Sequence, residues 1–373
     1  RRRAAARAAR ARAAGVAKDD VLAAEAWIEL VEVVGYELAR TTEGLTLAHA
    51  ATAAVARAGD RDDLTAKLLH ARALTTSTKD SAAAIPLEQQ ALTIRERRGD
   101  ADGIAESVND LARLHANRGD YAGAEAMHRR ALALREQLLG AEHPLVAESL
   151  NNLGVVLYHQ GKLDDARPLY ERALALRVKV LGPDHYDVGV TLNNLGGLYL
   201  DLGDDARAAD HLGRALANWE RAVGKDHPDL AIPLANLGDL ANRQGDHAGA
   251  LAACERALRI EEKASGADDP DLAYNLVCIG EAHLGARRAG AALAAFERAL
   301  RLREGSPGDR GELARTRLDL VLALTAARGD ALVGADRTRA QGLADQACQV
   351  LDTLGATWRG RAVACNARRT AHR

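Results

Sequence analysis

The chain has 373 residues, with 50 Lys+Arg against 52 Asp+Glu for a net charge of −2, so neither a polyanion nor an anionic membrane is an obligatory partner. Hydrophobic residues make up 47% but aromatic ones only 3%, with Phe296 the single Phe, so the core must come from Ala, Leu and Val spread over many small contacts. Charged residues at 27%, and the lack of any apolar run of membrane-spanning length, exclude a transmembrane chain.

In chain order, residues 1–14 carry six Arg and no acid. Ala and Arg favour helix, so residues 1–22 read as the end of a truncated repeat, ahead of a transit peptide or a basic tail. Residues 23–104 read as two divergent hairpins, 23–64 and 65–104. From residue 105 a period of 42 is plain: 105–146, 147–188, 189–230 and 231–272 align without a gap, and 273–313 is one residue shorter. Each unit holds a variant of Leu150-Asn151-Asn152-Leu153-Gly154. A glycine follows in four units (Gly119, Gly161, Gly203, Gly245), then an alanine (Ala124, Ala166, Ala208, Ala250, Ala292) and a second one (Ala131, Ala173, Ala215, Ala257, Ala299).

This spacing predicts a helical hairpin. Leu150, Leu153 and Leu157 share one stripe of helix A, and the glycine ends it at a position suited to positive φ. Ala166, Leu169, Ala173 and Leu176 form the stripe of helix B. Small residues such as Gly154 and Ala166 are expected where the two axes approach closely. A second glycine (Gly140, Gly182, Gly224, Gly266) ends helix B, and His143-Pro144, His227-Pro228 or Asp269-Pro270 opens the next helix. One hairpin cannot bury its apolar face alone, so successive hairpins must stack. Residues 314–355 read as a divergent last hairpin, and 356–373, basic and without acid, as a tail or capping helix.

The pattern L-N-N-L-G…G-x-x-x-x-A…E-R-A-L…L-G-x-x-H-P resembles tetratricopeptide (TPR) repeats of the 42-residue kinesin-light-chain type, strongly over 105–313. The resemblance implies an all-α, right-handed superhelical solenoid of about eight antiparallel hairpins. The segment Ala24-Glu25-Ala26-Trp27-Ile28-Glu29-Leu30-Val31-Glu32-Val33-Val34-Gly35-Tyr36, followed by Ala39-Arg40 and Glu43-Gly44-Leu45, resembles the stretch after the kinase domain in large myxobacterial serine/threonine protein kinases. In those proteins a TPR array lies C-terminal to the kinase, and 43 Arg against 7 Lys fits a GC-rich bacterial genome. The kinase itself is absent, since no Asp-Phe-Gly, His-Arg-Asp or glycine-rich phosphate loop occurs.

His143, His185 and His227 recur in register, but equivalent positions of stacked repeats lie about 10 Å apart, too far for one metal ion. They read as loop residues, and Asp269 at the next such position suits a helix cap. The four cysteines lack CxxC spacing, which argues against a zinc ribbon or disulfide framework and for a reducing, cytoplasmic setting. Cys254 reads as a small buried hydrophobe, with a redox pair to Cys278 the lesser alternative. Glu171-Arg172, Glu255-Arg256 and Glu297-Arg298 repeat with the period, marking a solvated ridge, whereas a catalytic centre would be unique. No enzyme is expected.

In TPR arrays helix A lines the concave face that receives a peptide, and the resemblance carries that role to named positions here. The groove candidates are Asn109, Arg113, Asn117, Glu148, Asn151, Tyr158, His159, Asn193, Asp201, Asp239, Asn242, Arg243 and Glu281. The row Asn109-Asn151-Asn193 could hydrogen-bond an extended backbone or, alternatively, neighbouring helices. None of the seven lysines falls at these positions, unlike the carboxylate-clamp TPRs, so capture of a free C-terminus is not expected. The expected partner is a peptide or protein segment of mixed charge, with no cofactor, small-molecule substrate, nucleic acid or membrane. The chain then reads as an interaction scaffold, the regulatory or docking region of a bacterial serine/threonine kinase. The alternatives are the arm of a nucleotide-binding signalling regulator or a module that self-associates through its exposed ends.

Overall fold

The computed structural model describes residues 19–305, 310–328 and 334–353; the segments 1–18 and 356–373, read above as a repeat end and a tail, lie outside them. The described residues form α-helices with no β-strand among them, in two compact units divided between Gly182 and Pro183. In the first, α1 (Asp20–Glu32, prolonged by a wider π-turn, Val33–Glu37) pairs with α2 (Thr41–Arg57), α3 (Asp62–Ser77) with α4 (Ser81–Arg98), α5 (Ala101–Asn117) with α6 (Tyr121–Leu139), and α7 (Pro144–His159) with α8 (Leu163–Leu181). In the second, α9 (Tyr186–Asp201) pairs with α10 (Asp205–Val223), α11 (Ala231–Gln244) with α12 (His247–Ser265), α13 (Leu272–Gly285) with α14 (Ala289–Glu304), and α15 (Arg310–Arg328) with α16 (Gly334–Leu351). Each unit is a stack of antiparallel hairpins, with odd-numbered helices as A and even-numbered as B.

Local chemistry sets the boundaries. The Asp100, Asp120, Asp204 and Asp246 carboxylates accept from the backbone N–H three residues on, capping α5, α6, α10 and α12. The turn glycine after helix A adopts φ of 74–79° at Gly119, Gly161, Gly203 and Gly245, the left-handed region in which a Cβ would be strained. The in-register histidines are caps: Nδ1 of His143, His185 and His227 accepts from the N–H two residues on at 3.2, 3.2 and 3.4 Å, and the Asp269 carboxylate does the same for Asp271 at 2.9 Å.

Packing follows the predicted stripes. Val146, Leu150 and Leu153 of α7 are at most 3% exposed, and Ala166, Ala173, Ala208, Ala215, Ala250 and Ala257 are fully buried where the B helices meet their partners. A Cβ at Gly154 would lie 2.7 Å from Tyr170 Cε1, and one at Gly280 would lie 2.5 Å from Phe296 Cε1. A helix-B side chain therefore plugs the notch left by the helix-A glycine, and the ring fits only because the glycine is bare.

The cysteines overturn the expectation drawn from their spacing. Cys254 of α12 and Cys278 of α13 form a disulfide, with Cα atoms 6.3 Å apart and exposures of 0% and 1%. Cys348 is disulfide-bonded as well. A B-helix knob and the next A helix face each other across a hairpin junction, so residues 24 apart meet without any CxxC motif. The case for a reducing compartment that rested on unpaired cysteines loses its basis. No helix among the described residues is long and apolar enough to cross a membrane.

Candidate functional site

Each unit carries a groove lined mainly by its A helices. In the first unit a cavity of about 840 Å³ runs over α1, α3, α5 and α7. Nine carboxylates line it against three Lys or Arg. Those three cations are already engaged: Lys67 with Glu25 at 3.2 Å, Arg95 with Glu106 at 2.8 Å, and Arg135 with Glu148 at 3.3 Å. Below its surface lies a buried charged cluster. His70 Nδ1 is 2.9 Å from Glu88 Oε2 and 3.8 Å from Asp110, and its Nε2 is 3.6 Å from Glu106. Burial by itself would lower the His70 pKa; the hydrogen bond and charge of Glu88, with Glu106 and Asp110, outweigh it and hold the imidazole at about 9. Burial pushes the Asp110 carboxyl up to about 6, against the pull of His70 and Arg113.

The sequence candidates of this unit divide into buried and accessible groups. Asn109 and Asn151 are each only 5% exposed. The Asn109 amide donates to Glu148 at 3.2 Å, and its oxygen accepts from Asn152 at 3.5 Å, so it ties α5 to α7. Glu148, half-buried, also accepts from Arg135. Arg113 sits 3.6 Å from Asp110 and lies over the Tyr36 ring, 5.8 Å from its centroid. At the far end of the A helices, Asn117 is exposed, and His159 stacks on Tyr121 (5.0 Å) with Tyr158 edge-on to it (5.5 Å).

In the second unit a cavity of about 420 Å³ lies between α11, α13 and the start of α15, against the end of α12. Asp239 lines it and faces Glu281 and Arg315; burial first, then Glu281, pushes its carboxyl up to about 6. Glu281 is bonded to Arg315 at 2.6 Å. Asn242 donates to the Cys278 carbonyl at 3.0 Å, which makes it a tie between α11 and α13. Arg243 reaches the Leu200 carbonyl at 3.4 Å and pairs with Asp205. Asn193 is half-buried, with an Oδ1 that has no hydrogen-bond partner, and Asp201 is exposed. The structure thus brings Asp239 and Glu281 together, and places Asn242 and Arg243 beside neighbouring helices.

A row of buried groups escaped the sequence reading. Arg95, at the end of α4, is 4% exposed and donates to the Gly103 carbonyl and Ser107 Oγ at 2.9 and 2.7 Å. Arg135 does the same to Leu145 and Ser149 at 3.0 and 2.8 Å, and Arg303 to Glu312 and Thr316. Arg177, at the equivalent position, is 5% exposed. The Arg95, Arg135 and Arg303 guanidiniums each lock the end of one hairpin to the first two turns of the next within a unit. Two positions of the row differ: Trp219, whose Nε1 donates to the Tyr186 carbonyl at 2.9 Å, and Glu261, which accepts from Asn275 Nδ2 at 2.5 Å. An arginine four residues after the second repeated alanine was the available signal. It was masked by the other arginines of the B helices, which are exposed or half-buried.

The model of the tetratricopeptide repeat family matches residues 103–177, 145–221, 210–263 and 230–305, together more than half of the chain. Among solved structures, BtubC (BKLC) from P. vanneervenii is similar at 26% identity with a TM-score of 0.52, over 63% of this chain and 95% of that one. A putative kinesin light chain of P. anserina with nearly identical TPR-like repeats aligns at 20% identity, TM-score 0.46, over 54% and 94%. PilF of Pseudomonas aeruginosa aligns at 19%, TM-score 0.47, over 72% and 98%. No curated protein sequence matches the chain.

Proposed function

The chain belongs to the tetratricopeptide repeat family, and from that premise we propose that it is a non-catalytic scaffold holding a peptide or protein segment along the A-helix grooves within its units. The observation that carries this is the contrast between the two faces. On the B helices, charges close on one another in rungs: Arg130 with Glu96 at 2.7 Å, Arg172 with Glu136 at 2.6 Å, Arg256 with Glu220 at 2.7 Å. In the grooves carboxylates outnumber cations, and Asp100, Asp102, Asp239 and Asp271 have no ion-pair partner among the described residues. A face with its charges closed has little to offer a ligand, whereas unmatched groups in a concavity do. Half-buried Arg113 and Glu281, each paired with a charge of its own unit, sit close enough to the groove to meet a bound segment in this scheme, while buried Asn109 and Asn151 set the spacing of the A helices.

The test is site-specific photo-cross-linking in a lysate of the source organism. A benzoylphenylalanine at Arg113 or Glu281 should capture the same partner, and one at Arg129 or Arg172 on the B helices should not. Capture only from the B-helix positions would sink the groove function. For the parent protein, residues 24–45 favour a bacterial serine/threonine kinase with this array as its docking region. Such a parent would place the array in the cytoplasm, where burial would have to protect the Cys254–Cys278 bond. Kinase loops in the coding sequence upstream would support this parentage, and a phosphate-binding loop with an ATPase signature would replace it.

A further inference from the structure

Four B helices carry a buried Arg near their C-terminal end: Arg95, Arg135, Arg177 and Arg303. At the equivalent position beside the second unit's cavity stands Glu261, and the Ser or Thr that would receive the guanidinium is Asn275. We propose that this cavity takes the Lys or Arg side chain of a partner's peptide segment, whose cation fills the place of the missing guanidinium between Glu261, Asn275 and Asp239, with an apolar neighbour in the peptide resting on Ile232 and Tyr274. This deepens the groove function proposed above and rests on it.

Three independent features converge. First, Asn275 is 1% exposed and lines the cavity; its Nδ2 is given to Glu261, while its Oδ1 has no donor, a vacancy that an ammonium or guanidinium would satisfy. Second, the negative charge is unmatched. Arg315 is committed to Glu281 at 2.6 Å, with Glu312 and Asp319 within 3.8 Å, and Arg303 is committed to Glu312 and the Tyr274 ring. Asp239 and Asp271, which line the same cavity, have no ion-pair partner among the described residues. Burial, followed by Asp271 and Asp269, raises the Glu261 carboxyl to about 7, which is how a carboxylate behaves when its cation is missing. Third, Ile232 and Tyr274, each 52% exposed, are the most exposed large apolar side chains of the described residues and both border this cavity. A stem of methylenes beside an apolar residue would cover them.

The full chain, labelled at the isoleucine δ1 methyls, is titrated with three capped tetrapeptides: acetyl-Leu-Lys-Leu-Ala-amide and its Glu and norleucine analogues. The seven isoleucines include Ile232 as the reporter at the cavity rim. The Lys peptide should shift the Ile232 methyl saturably at millimolar concentration, and the other two should not. Affinity should rise from about pH 5.5 to about pH 8, because Asp239 (facing Glu281, Glu312, Arg315 and Arg243) and Glu261 (facing Asp269 and Asp271) must lose protons to hold a cation. Asp239→Asn and Glu261→Gln should each weaken binding about tenfold, the worth of one charge-assisted hydrogen bond. Glu261→Gln should leave the methyl spectrum away from the cavity unchanged, which separates lost binding from lost fold. An equal response to the norleucine peptide, or a larger one to the Glu peptide, overturns the cation site while leaving peptide binding in the groove intact. No response of Ile232 to any of the three also overturns it, and the groove function is then judged by the cross-linking outcome alone.

Discussion

At the scale of single residues, the same residue type does opposite work at neighbouring places in the repeat. Gly154 is bare because the Tyr170 ring occupies the space, whereas a Cβ at Gly197, inside α9, meets nothing within 4 Å. Gly154→Ala should therefore lower stability by about 1–3 kcal/mol through overpacking. Gly197→Ala should raise it by about 0.5–1 kcal/mol, because a helix-interior glycine only loses backbone entropy. Urea titrations of both variants check this, and two destabilised proteins would contradict the packing of α9. His70 offers a test by pH. Its folded-state value of about 9 lies above the ordinary 6.5, so the stabilisation it supplies is complete below about pH 6.5 and lost as pH rises through 9. His70→Gln should cost about 2 kcal/mol near pH 6.5 and little above pH 9, flattening the alkaline limb of the stability curve. A cost that does not vary with pH would mean that the imidazole only fills space.

At the scale of the element, what distinguishes these hairpins from generic helix pairs is the buried bond across junctions within a unit, as at α6–α7. Arg135 is 5% exposed and forks between the Leu145 carbonyl in the first turn of α7 and Ser149 Oγ in its second. Arg135→Met leaves those acceptors buried without donors, and about 3 kcal/mol should be lost. Arg135→Lys should recover only part of this, because an ammonium cannot reproduce the planar fork. Full recovery by Lys, read from thermal unfolding, would reduce the fork to a point charge. The Cys254–Cys278 bond crosslinks α12 to α13 over 24 residues. The double variant Cys254→Ala/Cys278→Ala should lose about 3 kcal/mol. In the native protein, thiol labelling of this pair should begin only once reductant is combined with denaturant, since both sulfurs are buried. Labelling without denaturant would show that the junction opens in the folded state.

At the scale of the whole molecule, the period of 42 already determined a great deal: helix class, hairpin pairing, turn glycines and the alanine stripes. It did so because each repeat must solve the same packing problem, and identical solutions recur at identical spacing. The register of His143, His185 and His227 was legible for the same reason, but they read as loop residues, and only the structure showed each ring capping the following A helix. Composition likewise settled that the core would be assembled from small aliphatic side chains. Only the tertiary structure decided which of the 13 groove candidates are accessible. It buried Asn109 and Asn151 between helices, and it added Ile232, Tyr274 and Asn275 to the cavity of the second unit. It alone joined the two cysteines and separated the four buried arginines from the exposed majority. Helical periodicity fixes the face on which a residue lies, but burial depends on what approaches that face from another hairpin. Glu261 meets Asn275 from 14 residues away, and Cys254 meets Cys278 from 24, at junctions whose closeness is set by side-chain volumes on both sides.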